Sequence, residues 1–324
     1  MNTLKNLQLL IEDAVGKLSY PVTPAELYEP ITYILSIGGK RMRPALLLMA
    51  CDMFGGDVKK AISPALAIEV FHNFTLVHDD IMDNAPLRRG KATVHEKWNP
   101  NTGILSGDVM LVEAYKLMMQ VDDGILLNVL EIFSNTAIGV CEGQQFDMNF
   151  EQQSHVQIDD YINMIRLKTA VLLGGALNIG ALIGGASAKD AGLLYTFGEQ
   201  LGIAFQLQDD ILDVYGDPEK FGKQVGGDII SNKKTFLLIK ALELAGEQEK
   251  QVLNQWLNAA NFDAVEKVSA VTDIYNALGI RQQAEEAVYT YAAKGFEALD
   301  KLSVAEDKKQ YLRSFADGLM VREK

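Results

Sequence analysis

Along most of the chain apolar residues recur at three- and four-residue spacing, the repeat of a buried helix face, and strand-like alternation never persists. This pattern predicts helices over 2–17, 25–36, 44–53, 59–84, 102–119, 123–149, 156–167, 169–184, 189–216, 228–245, 247–258, 262–276, 279–301 and 305–316. Breakers are sparse: 8 prolines occur, mostly near the N-terminus and in a few loops. No repeat of fixed short period is present, and neither a Pro/Ser-rich linker nor a run of one charge divides the chain. One all-α domain over residues 1–324 is the expectation.

At 324 residues and 48% hydrophobic, the chain can bury a large core. Its net charge of −13 argues against a nucleic-acid or anionic-membrane surface, either of which needs a basic face. Thr169–Ala188 carries no charged side chain and approaches the roughly 20 residues that cross a bilayer. Five glycines and Asn178 dilute it, so it reads as a central helix packed all round, and no integral membrane segment is expected. The N-terminal stretch is amphipathic and holds Glu12 and Asp13, unlike a signal peptide. Cys51 and Cys141 lie in apolar helical surroundings without metal spacing and read as buried, reduced thiols, which fits a cytoplasmic location.

Two stretches stand out chemically. Phe71–Asp83 reads FHNFTLVHDDIMD and ends in Asp79, Asp80 and Asp83; Phe205–Asp213 reads FQLQDDILD and ends in Asp209, Asp210 and Asp213. In both, carboxylates fall at i, i+1 and i+4, so two lie one helical turn apart with a third beside them. One such set is common on a solvated helix end. Two sets, each closing a charge-poor helix, point to oxygen ligands for Mg²⁺, which leaves room for water and phosphate. The expectation is two facing helices with a diphosphate bridging the metals.

Cations cluster near these stretches. In Gly38-Gly39-Lys40-Arg41-Met42-Arg43-Pro44 the glycines stop one helix and the proline starts the next; the three cations either cap the first helix or form an anion site. Arg88 and Arg89 follow the first acidic set and either neutralise it or clamp phosphate through their guanidinium forks. Glu69 and His72 lie on the helix leading to Asp79, with His72 about two turns below it. His78 caps or solvates Asp79. Lys168-Thr169 marks either a helix mouth at solvent or an ammonium and hydroxyl beside the metals. Lys223, Asp228 and Lys233-Lys234-Thr235 follow the second acidic set, where the lack of a preceding strand and of GxxxxGK[ST] argues against a nucleotide loop and leaves a phosphate-seeking lid lysine.

In this order GGKRMRP, HDDIMD with LRRG, LKT, FQLQDDILD, GK and DIISNKKT resemble the trans-isoprenyl diphosphate synthases, the short-chain prenyltransferases that include farnesyl and geranylgeranyl diphosphate synthase. The resemblance runs from about Gly38 to Thr235. It implies an all-α bundle around a deep central cavity (the isoprenoid synthase-like fold), a homodimer, and three Mg²⁺ ions. It makes Asp79, Asp83 and Asp209 direct metal ligands, with Asp80, Asp210 and Asp213 acting through metal-bound water or behind the ligands. It gives the allylic diphosphate to Arg88, Lys168 and Lys223, and isopentenyl diphosphate to Lys40, Arg43, His72 and Arg89. Thr169, Gln206 and Lys233 then steady the allylic cation.

The chemistry is coherent: breaking the allylic C–O bond sheds a diphosphate whose charge metals and Lys/Arg stabilise, and the cation survives only in a dry apolar cavity. Proton loss follows, with the released pyrophosphate as acceptor. In the family, bulky residues four and five positions before the first Asp of the first motif shorten the product. Here these are Thr75 and Phe74, with Phe71 a turn deeper; one aromatic and no insertion in DDIMD resemble the geranylgeranyl pattern and imply a C15 to C20 product. A class I terpene cyclase is the rival, but it carries an Asn/Ser/Glu second metal motif and needs no isopentenyl site. A non-catalytic partner subunit commonly lacks an acidic motif or its cations, and both are complete here.

Overall fold

The computed structural model describes residues 3–217 and 225–320. Among them the chain is all-α apart from one short hairpin. Helices α1 (Leu4–Gly16), α2 (Ala25–Ser36), α3 (Met42–Met53) and α4 (Ile62–Met82) are followed by strands β1 (Leu87–Arg88) and β2 (Lys91–Ala92). Next come α5 (Val94–Lys97), α6 (Pro100–Met118), α7 (Asp123–Gln152) and α8 (Ile158–Ile165). A π-helical turn, Arg166–Ala170, leads into α9 (Val171–Ile183), then α10 (Ala188–Tyr215) and the short α11 (Gly227–Ile230). The chain ends with α12 (Phe236–Leu244), α13 (Glu247–Leu257), α14 (Ala264–Ala277), α15 (Ile280–Asp300) and α16 (Glu306–Met320).

The chain falls into two compact units. The first holds the residues up to Ala137 with Leu172–Tyr195 and Lys301–Leu312; the second holds Ile138–Val171, Thr196–Asp300 and the residues from Arg313. The boundaries at Ala137 and Tyr195 fall inside α7 and α10, not in linkers.

In the first unit α4 is the central element. It packs most extensively on α6 and also on α1, α2 and α3, and an apolar sequence on all sides suits a helix covered all round. Small residues set these distances. A Cβ on Gly180 of α9 would fall 2.1 Å from the Leu47 carbonyl oxygen of α3, and one on Gly175 would fall 2.6 Å from Thr136 Oγ1. The glycines of the charge-free segment are thus where backbones meet. The candidate membrane span running through it, Ile158–Ile183, is 72% buried, as expected of a core helix.

The second unit has its own core of Tyr161, Ile203, Leu207, Ile211, Phe236 and Tyr275 with their neighbours. Its π-helical turn is gripped from two sides. A Cβ on Gly143 of α7 would sit 2.2 Å from the Lys168 nitrogen, and one on Gly202 of α10 2.6 Å from the Ala170 Cα. Close helix contact, not local propensity, therefore fixes the backbone that carries Lys168 and Thr169, in keeping with π turns occurring at functional sites.

Three expectations are corrected. The helix predicted over 228–245 is broken: α11 stops at Ile230, Asn232 takes a left-handed φ of 58°, and the chain stays non-helical to Thr235 before α12 begins. Residues 87–92, which show no strand pattern, form a hairpin pairing Leu87 with Ala92 and Arg88 with Lys91. Cys141 is exposed on α7, whereas Cys51 is buried as expected.

Candidate active site

The first acidic set ends α4. Asp83 is its C-cap, with its N–H bonded to the Asp79 carbonyl at 2.9 Å. Asn84 follows with φ 48°, and the N–H groups of Asn84 and Ala85 return to the carbonyls of Ile81 (3.3 Å) and Asp80 (2.9 Å), a Schellman closure. The carboxylates therefore sit at the negative end of the helix dipole, where a cation is favoured. Asp80 is 1% exposed and bound by Arg88, whose Nε lies 2.9 and 2.8 Å from its two oxygens and whose Nη2 lies 2.7 Å from Oδ1.

Arg88 belongs to β1, and the tight turn after it is Arg89-Gly90, both with positive φ (53° and 75°), as a type I′ hairpin requires. A non-glycine residue held there costs on the order of 1 kcal/mol, and such strain clusters at functional sites. The turn brings Arg89 to Gly39: a Cβ on Gly39 would lie 2.7 Å from Arg89 Nη1, so the glycine makes room for the guanidinium. The GGKRMRP and LRRG loops, fifty residues apart in sequence, thus converge.

His72 joins them. Arg43 Nη1 lies 3.2 Å from His72 Nε2, and because arginine only donates, Nε2 accepts and the ring is neutral. Burial, then Arg43, Arg89, Arg88 and Arg41, hold the imidazole well below its usual range. Arg43 Nε is buried with no hydrogen-bond partner, and burial lowers the Arg43 and Arg89 guanidinium pKa values. An orphaned donor beside a second arginine and a neutral imidazole is the chemistry of an anion site. Of the residues expected for isopentenyl diphosphate, Arg43, His72 and Arg89 are brought together; Lys40 is exposed on the same loop, its carbonyl accepting Gln8 Nε2 at 2.6 Å. His78 does not cap Asp79: its Nε2 contacts the Ile104 carbonyl at 3.1 Å, in space that Gly107 leaves open.

The second acidic set lies in the last turns of α10. Asp210 is buried, accepting from the Tyr161 hydroxyl, from Gln206 Nε2 at 3.4 Å and from the Phe236 N–H at 3.4 Å. Burial, only partly offset by the Tyr161 hydrogen bond, pushes its pKa up to about 7. Asp213 binds the segment that follows: its Oδ2 accepts the Asp228 N–H at 2.9 Å and its carbonyl the Gly226 N–H at 2.6 Å. The break after α11 is where Lys233 stands exposed, and the buried Lys267 secures it by donating to Asn232 Oδ1 (2.5 Å) and the Ile230 carbonyl (3.2 Å). Lys168 pairs with Asp147 at 2.6 Å, and Thr169 follows it, half-buried, on the π-helical turn. Lys223 lies outside the described residues.

Sequence reasoning missed Asp147, Tyr161, Lys267 and the pairing of Arg41 with Glu69. The first two had a signal, polar residues on otherwise apolar helices, but their partners lie 21 and 49 residues away.

Among the described residues no three His, Cys, Asp or Glu side chains converge as a ready-made metal cage. Asp80 is paired with Arg88 and Asp210 with Tyr161, and in each set the first and last carboxylates, Asp79 with Asp83 and Asp209 with Asp213, lie one turn apart. One or two carboxylates, completed by water and substrate phosphate, is how Mg²⁺ is usually held, and the donor set fits that ion.

An all-α protein with two acidic helix ends and an arginine-lined anion site is equipped to handle diphosphates. Residues 24–275 match the model of the polyprenyl synthetase family, and the chain belongs to that family. It is 40% identical over 288 residues to a geranylgeranyl diphosphate synthase of Sulfolobus acidocaldarius, covering 87% of this chain and 86% of the relative. A geranylfarnesyl diphosphate synthase of Natronomonas pharaonis is 32% identical over 97% of this chain and 95% of its own. The crystal structure of a geranylgeranyl pyrophosphate synthase superposes with a TM-score of 0.95 at 45% identity, covering all of both chains. The chain is thus a prenyltransferase, a trans-prenyl diphosphate synthase with the isoprenoid synthase fold.

An anion drawn to Arg43 and Arg89 offsets the cations that now keep His72 neutral. On adding inorganic pyrophosphate, the His72 ring followed by NMR is expected to titrate at higher pH than in the free protein, where it titrates well below 6.5. A titration that pyrophosphate leaves unmoved would remove His72 from the anion site.

Proposed function

We propose that the enzyme couples isopentenyl diphosphate to an allylic diphosphate by Mg²⁺-assisted ionisation, giving a C15 to C20 all-trans prenyl diphosphate and pyrophosphate. The observation that carries this reading is the first acidic helix end, Asp79–Asp83, on the same helix as His72 and closed by Arg88 next to Arg89 of the Arg43–His72–Arg89 cluster. In this reading Asp79, Asp83 and Asp209 hold Mg²⁺, which when bound draws charge onto the leaving diphosphate. Arg88 orients Asp80 and shares the allylic diphosphate with Lys168 and Lys223. Arg43, Arg89, His72 and Lys40 bind isopentenyl diphosphate, where the guanidinium forks suit phosphate oxygens better than point charges would. Thr169, Gln206 and Lys233 place oxygen dipoles and a positioned ammonium around the developing cation and pyrophosphate. Buffer, isopentenyl diphosphate, a geranyl primer and Mg²⁺ are the whole assay, and omitting isopentenyl diphosphate should abolish product. Asp79→Ala and Asp209→Ala should each lower kcat by about a hundredfold or more, the scale of one lost electrostatic stabiliser; near-native turnover by either variant would end the proposal.

The length reading rests on aromatics below the first acidic set. Phe74 lies 5.6 Å, ring centre to ring centre, from Phe71, which meets Phe133 of α7 at 5.4 Å, and Phe133 meets Tyr115 of α6 at 4.9 Å. Thr75 turns its hydroxyl to the His72 carbonyl and adds little bulk. Phe74, the first phenylalanine before Asp79 on α4, limits elongation as the cavity floor. Phe74→Ala should shift the product, by mass spectrometry, at least one isoprene unit longer; an unchanged distribution would assign the floor elsewhere.

A homodimer is the assembly we favour. Val112 and Leu105 of α6 and Leu127 and Ile138 of α7 are 56–79% exposed, an unusual load of apolar surface for two helices. Light scattering should return twice the chain mass, and Leu127→Glu should return the chain mass; a monomeric parent would refute the dimer.

A further inference from the structure

Arg41 stands between the two loop cations just described, yet its surroundings are different. It is 4% exposed, it holds a left-handed φ of 45°, and its guanidinium is fully engaged: Nε with Glu12 at 2.9 Å, Nη1 with Glu69 at 2.5 Å, Nη2 with the Leu35 carbonyl at 2.8 Å. Glu69 is likewise buried, and its Oε1 also accepts Asn73 Nδ2 at 3.0 Å. One turn along α4 from Glu69 is His72, the partner of Arg43. Glu69 acts electrostatically on both Arg43 and Arg89.

A buried carboxylate one turn from the histidine that Arg43 contacts, and felt electrostatically by both Arg43 and Arg89, is a competitor for them. Without Arg41 it would keep only the neutral Asn73 amide as a side-chain partner, and a buried carboxylate stripped of its countercharge gains by turning to Arg43 or Arg89 for a charge-assisted hydrogen bond. We propose that Arg41 is a positioning residue of the isopentenyl diphosphate site: by holding Glu69 it keeps an internal carboxylate from occupying Arg43 and Arg89, which remain for the substrate. The Leu35 carbonyl and Glu12 fix the guanidinium from its other sides, so the strained backbone at Arg41 is held by three bonds and not by one. This rests on the reading that Arg43 and Arg89 bind isopentenyl diphosphate.

The test is a double-mutant cycle read as separate KM values for the two substrates. Arg41→Met should raise KM for isopentenyl diphosphate about tenfold, the worth of one hydrogen bond to a charged group, with KM for the geranyl primer little changed. Arg41→Met with Glu69→Gln should recover most of that loss, because the amide that replaces the carboxylate no longer competes for the arginines. Equal rises in both KM values, or a double variant no better than Arg41→Met, would overturn the proposal, since a merely structural role predicts both. If Arg41→Met does not fold, Arg41→Lys carries the same cycle: a single ammonium cannot reproduce three bonds, so a smaller selective rise suppressed by Glu69→Gln is expected, and a nonselective rise refutes. Arg43→Met separates the two levels. If it leaves KM for isopentenyl diphosphate unchanged, the binding reading itself fails; if it raises that KM while the Arg41 cycle shows no rescue, only the role of Arg41 falls.

Discussion

Negative charge gathered at the carboxyl end of a helix is the constraint on which the rest depends. Both DDxxD sets occupy the last turns of long apolar helices, where the helix dipole and the neighbouring carboxylates all oppose ionisation. The protein answers each set in the same way, removing the middle acid from the problem. Asp80 is neutralised by Arg88, and Asp210 is buried against Tyr161 with its pKa pushed up to about 7. The first and last carboxylates of each set lie one turn apart, the donor geometry that suits a divalent cation completed by phosphate and water.

The opposite charge is handled with equal economy. Arg43 stands in the first turn of α3 and Arg89 in the hairpin turn; burial lowers both guanidinium pKa values, with Arg89 adding to the effect on Arg43 and Arg88 and Arg41 to that on Arg89, while His72 beside Arg43 is neutral. A surface array of lysines would bind any anion; two guanidinium forks, one half-buried and one exposed, suit one that can accept several directed bonds at once. Arg41, the third cation of its loop, goes to Glu69 instead, so adjacent residues of the same charge have opposite tasks.

How much of this is legible in a sequence follows from the distance over which each feature is determined. The ends of α4 and α10 are local events, set by apolar periodicity and by Asn84 in the left-handed conformation, so the acidic sets are readable directly. The break between Ile230 and Phe236 was hidden because Ser231-Asn232-Lys233-Lys234 has no proline or glycine; Lys267, 35 residues on, and Asp213 hold it open. The hairpin was hidden because β1 and β2 have two residues each, too few for alternation to show. Arg41 looked like Lys40 and Arg43 because three cations in four residues carry no mark of which one will be buried; the decision lies in Glu12 and Glu69, 29 and 28 residues away.

The same logic bears on product length. Reading Phe74 and Thr75 from their spacing to Asp79 treats the cavity floor as a property of one helix. The aromatics that meet Phe71 and Phe74 include Phe133 of α7, and Phe133 in turn rests on Tyr115 of α6, whose hydroxyl bonds Ser134 Oγ at 3.0 Å. A ring backed by two further rings yields less to a growing chain than one facing mobile aliphatics, because close-packed aromatics cannot move singly. A floor read from one helix is therefore the part of a three-helix packing of α4, α6 and α7 that the sequence exposes to view.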